Sequence, residues 1–126
     1  MTIEKVLNEV KLNVPSSLDD TTLIRWLSRC ESQLKTEIFD NYVDEVEFNG
    51  YDDTTPKDTV LLVGSPYDEI YVRYLEAMIY RYLGEMTKYN NCITEYNALY
   101  DKFHAQYTRD HVHKGPNRMT YYGGVV

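Results

Sequence analysis

The chain has 126 residues, enough for one modest core and too few for two. Its 20 acidic side chains outnumber 13 Lys and Arg, for a formal net charge of −7. That balance argues against a protein whose main task is gripping phosphate backbones, because such binding runs on cations that displace counterions.

A hydrophobic fraction of 43% with 26% charged residues is the composition of an ordinary globular domain. The aromatic content is skewed: 13 Tyr stand against 3 Phe and 1 Trp. Tyr joins an apolar body to a polar tip, which suits a thin helical core and protein–protein contacts alike. Cys30 and Cys92 lie inside helical patterns, outside any CxxC or Cys/His cluster, so two buried thiols in a reducing setting are expected. The first residues carry acids and no long apolar stretch, unlike a signal peptide, and no apolar run approaches the ~18 residues of a membrane span.

In chain order, Thr2 to Leu12 reads as a short helix with Ile3, Val6, Leu7 and Val10 on one face and Thr2 as N-cap. Pro15 stops it. Ser16, Ser17, Asp19 and Asp20 then precede a second helix. Leu23, Leu27, Cys30, Leu34 and Ile38 form its seam, Ile24 and Trp26 widen it, and it ends near Phe39 or Asp40.

From Asn41 to Gly64 the helical period is lost. Asp44, Glu45, Glu47, Asp52, Asp53 and Asp58 face a single cation, Lys57. Residues 46–51 and 59–63 have strand character, and two readings stay open: a short β-hairpin, or an irregular loop that orders only against a neighbour.

Ser65, Pro66 and Asp68 predict a capped start for a third helix, whose apolar stripe is Tyr67, Ile70, Tyr71, Tyr74, Leu75, Met78, Ile79 and Tyr82. Gly84 is expected inside that pattern, at about 1 kcal/mol relative to Ala, with a kink or close packing to offset it. Asn90 and Asn91 suggest the turn into a fourth helix, which carries Ile93, Tyr96, Tyr100, Phe103 and Tyr107 and ends near Asp110. The last two helices should form an antiparallel hairpin. Beyond it Gly115 and Pro116 break the pattern, and a tail with Arg118, Met119, Tyr121 and Tyr122 has no core of its own.

The expected fold is therefore all-α: a small four-helix bundle over residues 1–111, a projecting loop at 41–64, and an extended tail at 112–126.

Little in the chain suggests catalysis. His111 and His113 are the best candidate metal pair, but no Cys or suitably spaced carboxylate joins them. Asp52 to Thr55 lacks the bidentate Glu of a calcium loop. No phosphate loop or nucleophile elbow is present, so no catalytic residue, metal or cofactor is assigned. Charge is distributed unevenly: Arg109, Lys114 and Arg118 make the end basic against the acidic loop, an asymmetry that suits a heterologous contact between copies.

One run of elements is similar to a known family. Pro66-Tyr67-Asp68-Glu69, Gly84-Glu85, Tyr89-Asn90-Asn91, Tyr96-Asn97, and Arg109 with His111 follow in order, after Ile24-Arg25-Trp26-Leu27, Gly50-Tyr51-Asp52 and Leu61-Leu62-Val63. Together, from about Asp19 to His111, they resemble the head–tail connector, or adaptor, proteins of long-tailed bacteriophages of Gram-positive hosts. Leu83 replaces the family's Asn before the glycine, and Thr108-Arg109-Asp110-His111 replaces its Asn-Arg-Thr-His ending.

The resemblance implies a structural virion protein of the neck, assembled in the host cytoplasm. It would form a dodecameric ring that docks under the portal after DNA packaging and receives a stopper protein on its far side. It implies that the tail reaches the portal, with Arg118, Met119, Tyr121 and Tyr122 as candidate contacts. The loop acids, Asp44, Glu45, Glu47, Asp52, Asp53 and Asp58, become candidate contacts to a neighbouring subunit or the stopper. Genomic DNA would pass an acidic channel without specific binding. The alternatives are a small helical DNA-binding or packaging protein, which would need a basic recognition face, and a small enzyme using the acidic loop.

Overall fold

A computed structural model describes residues 1–114. It contains four helices, α1 (Ile3–Asn13), α2 (Asp20–Glu37), α3 (Glu69–Leu83) and α4 (Met86–Asp110), with a 3-10 turn at Phe39–Asn41. The expected all-α bundle is what the chain forms.

Each helix follows from its own sequence signals. Thr2 accepts the Lys5 amide at 3.3 Å and starts α1, whose Ile3, Val6, Leu7 and Val10 are all buried. Asp19 accepts the Thr22 amide at 2.9 Å and starts α2. That bond holds the Asp19 carboxyl below the usual carboxylate range. The α2 seam of Leu23, Leu27, Cys30, Leu34 and Ile38 is buried throughout.

Two details of α3 differ from the sequence expectation. The Gly64–Tyr67 stretch turns first, with the Tyr67 amide donating to the Gly64 carbonyl at 3.0 Å and a cis Ser65–Pro66 bond, and α3 begins only at Glu69. Asp68 makes no cap bond and instead pairs with the Met1 amino group at 3.4 Å. The helix is also buried on more than one stripe, since Val72, Glu76 and Ala77 join Ile70, Tyr71, Leu75 and Ile79 inside. The reason is its central place: α1, α2 and α4 all pack against it.

Gly84 ends α3 and is not an interior residue. It sits at φ 78°, its amide donates to the Arg81 carbonyl at 3.2 Å, and the Glu85 amide donates to the Tyr80 carbonyl at 2.9 Å. This pair of bonds is the Schellman arrangement, which a left-handed glycine permits at no side-chain cost. The chain therefore reverses at Gly84-Glu85, and α4 runs straight through Asn90 and Asn91, which are exposed on its surface.

The hairpin that follows is asymmetric. Tyr74 meets Tyr96 with ring centroids at 5.6 Å, and Tyr67 meets Phe103 at 5.9 Å, which fixes the antiparallel register. At 25 residues against 15, α4 overshoots the start of α3. Its overhanging Phe103 and Tyr107 pack on Phe39, and Tyr107 also packs on Tyr42.

Polar contacts lock α1 to this hairpin. Glu76 is 4% exposed and accepts from Asn13 Nδ2 at 2.8 Å and Arg73 Nη1 at 2.7 Å, while Arg73 also reaches Glu95 on α4 at 3.4 Å.

Replacing Gly84 by Ala should lower stability by about 1 kcal/mol and lower the melting temperature by several degrees. A Cβ there meets open space, so backbone strain alone drives the loss, and thermal melts of G84A against wild type measure it.

Candidate interaction surfaces

The acidic segment is positioned by one buried carboxylate. Glu31 on α2 has no exposed surface, and among the described residues it has no ion-pair partner. Its Oε2 accepts from the Tyr51 hydroxyl at 2.9 Å and the Leu62 amide at 2.9 Å. Its Oε1 accepts from the Tyr71 hydroxyl at 2.6 Å, and that hydroxyl in turn accepts from the Val63 amide at 2.8 Å. Both ends of the 41–64 segment's second half are thus tied to α2 and α3. Burial disfavours the charged form more than these donors favour it, so the Glu31 carboxyl lies above its ordinary range.

Further ties continue along the segment. The Tyr51 amide donates to Ser28 Oγ at 3.0 Å beside Gly50, which takes φ 97°. Leu61 and Val63 enter the core. The Ile3 and Glu4 amides donate to the Thr59 and Lys57 carbonyls at 3.1 and 2.9 Å, so the segment satisfies the first turn of α1. Lys57 reaches Asp20 at 2.8 Å, and Lys11 also pairs with Asp20, which holds that carboxyl below its usual range.

No hairpin forms: the strand-like residues 46–51 and 59–63 do not pair with each other, and the described residues contain only isolated bridges, Thr2 with Val60 and Tyr42 with His113. The segment is an irregular loop, and its own chain orders it. Backbone groups at Tyr51, Lys57, Thr59, Leu61 and Leu62 bond instead to Ser28, Glu31 and the start of the chain at Met1 to Glu4.

All six candidate acids of the loop, Asp44, Glu45, Glu47, Asp52, Asp53 and Asp58, are exposed. Asp52 has a local task as well. Its Oδ1 accepts from the Thr54 hydroxyl at 2.6 Å and amide at 2.9 Å, which shapes a turn and holds its carboxyl below the usual range. Among the described residues, no three His, Cys, Asp or Glu side chains converge as a metal site would require.

The chain end leaves beside this loop. The Val43 amide donates to the Val112 carbonyl, and the Lys114 amide to the Asn41 carbonyl, each at 2.8 Å. His111 stacks on Tyr107 with centroids at 3.7 Å, and His113 meets the edge of Tyr42 at 5.1 Å. Backbone contacts to the body therefore continue past residue 111, at Val112 and Lys114. The candidate tail contacts Arg118, Met119, Tyr121 and Tyr122 lie outside the described residues.

A second surface was not singled out by the sequence pattern. Trp26 and Arg29 of α2 line a shallow groove with Met78, Arg81 and Tyr82 of α3. Tyr82 is 64% exposed although it continues the α3 apolar stripe, and near it Leu83 and Met86 are also exposed at the hairpin turn. The legible signal was the pair of arginines, which carry no hydrophobic period. Among the described residues, no helix is long and apolar enough to cross a membrane.

With this geometry in hand, comparison with known proteins adds no identity: no family model, no curated protein and no solved structure matches the chain.

Replacing Glu31 by Ala leaves two hydroxyls and one amide without their acceptor and should cost about 3 kcal/mol. Amide exchange at Leu62 should accelerate with it. The pH dependence has a defined sign. A carboxyl raised by folding holds its proton in the native state after the unfolded chain has lost it, so its contribution is greatest in acid and is lost as pH rises through the folded-state pKa. Denaturant unfolding from pH 4 to pH 8 should therefore show the wild-type stability falling relative to E31Q as pH rises from the ordinary carboxyl value through the higher folded-state one.

Proposed function

We propose that this protein is a structural component of a tailed-phage neck, a head–tail connector whose copies form a ring under the portal after DNA packaging. What supports the reading is the ordered series of elements from about Asp19 to His111 that resembles that family. The surfaces suit the role. A small helical body carries six exposed acids on one segment, and residues 112–114 run beside the start of that segment at Asn41–Val43. An acidic surface along a DNA channel repels the phosphate backbone, so the duplex passes without being held.

In this reading the tail, with Arg118, Met119, Tyr121 and Tyr122, binds the portal, and aromatic anchors supply most of its affinity. The acids Asp44, Glu45, Glu47, Asp52, Asp53 and Asp58 meet a neighbouring copy or the stopper. The role requires no substrate, metal or cofactor.

Mixing the protein with DNA-filled, portal-bearing capsids and viewing them by negative-stain microscopy tests the proposal. A ring of added density below the portal is expected. Changing Tyr121 and Tyr122 together to Ala should weaken that attachment by about tenfold or more without altering the fold. A protein that stays unattached to packaged capsids at high concentration would sink the proposal.

A further inference from the structure

The groove of Trp26, Arg29, Met78, Arg81 and Tyr82 has the composition in which binding energy concentrates, since Trp, Tyr and Arg dominate interface hot spots. Arg29 and Arg81 are exposed, and among the described residues neither has an ion-pair partner within the chain. In a chain of net charge −7, such a patch invites an acidic occupant.

The geometry of α2 says where that occupant is found. Ser28 and Glu31 hold the acidic segment, whereas Trp26 and Arg29 face the groove. At about 100° per residue these two pairs lie on roughly opposite sides of the helix. The acids and the arginines of one molecule therefore point away from each other. A second copy brings them together.

We propose that copies associate head to tail, with the acidic segment around Asp44, Glu45, Glu47 and Asp53 of one copy docked in the arginine–aromatic groove of the next. Val43, 51% exposed beside these acids, offers an apolar contact to Trp26 and Tyr82. The chain's own tail is the poorer occupant, because residues 115–126 carry Arg118 and no acidic side chain. The contact is heterologous, so it closes into a ring or extends as a filament according to the rotation between copies. It rests on the connector reading and names the two faces its copies use.

Charge reversal on each face tests the pairing without portal or capsid. One variant carries R29E and R81E, the other E45K, E47K and D53K. All five positions are exposed, and circular dichroism melts verify that both variants fold.

Sedimentation of the wild type from micromolar to millimolar concentration is expected to show self-association that weakens with salt. Each variant alone should associate about tenfold or more weakly. An equimolar mixture of the two should regain association, because each reversed face then meets its complement.

A wild type that keeps the mass of one chain throughout overturns the proposal. So do variants that associate like wild type, a mixture that stays apart, or loss of association on deleting residues 115–126 alone. Portal docking that persists while the variants self-associate normally overturns this pairing and leaves the connector reading standing.

Discussion

A carboxylate sealed inside a small protein without a cation beside it must be repaid in hydrogen bonds, and Glu31 determines how this chain is arranged because of that requirement. Its acceptors are filled by Tyr51, Leu62 and Tyr71, which come from the long connection and from the central helix. Satisfying one buried group thus draws a segment with no secondary structure of its own onto α2 and α3. The arrangement is cooperative. The Tyr71 hydroxyl donates to Glu31 while accepting from the Val63 amide, and accepting polarises it into a better donor, so the two bonds strengthen one another.

A second anchoring region lies at the far end of the hairpin. Because α4 outruns α3, its last turns would expose Phe103 and Tyr107 unless something covered them. The Phe39–Asn41 turn and Tyr42 do so, and Tyr42 adds a hydroxyl contact of 2.6 Å to Thr108. The chain following α4 then runs back along residues 41–43. Overhang and aromatic cover both follow from one inequality in helix length.

Charge follows the same skeleton. Holding the acidic segment on one side of α2 leaves the opposite side for Trp26 and Arg29 against α3. The acids concentrated in residues 44–58 are thereby set on one side of α2 and the arginines of the groove on the other, which gives the molecule a direction that composition does not reveal. Ion pairs inside the body, such as Arg73 with Glu76, are spent on packing α1, α3 and α4 and take no part in that polarity.

Four helices, the cap at Thr2, a capping cluster of Ser16, Ser17, Asp19 and Asp20, and the seam from Leu23 to Ile38 were legible in the amino-acid order, because helix formation is local and its signals lie within three or four residues; packing then chose Asp19 from the cluster. The exposure of the six loop acids was legible for a similar reason: unpaired charge stays in water. Gly84 as a helix end and Asn90-Asn91 as mid-helix were not, since both fit either role and the choice depends on where α3 runs out of partners. The path of residues 41–64 was invisible for a stronger reason. It is decided by Glu31, 20 and 31 positions from the groups it binds at Tyr51 and Leu62, and by Tyr71 at a separation of 40. No local pattern marks a glutamate in an amphipathic helix as buried. Only the packed structure brings its donors together, and only then do the acidic and arginine–aromatic faces acquire their opposite orientations.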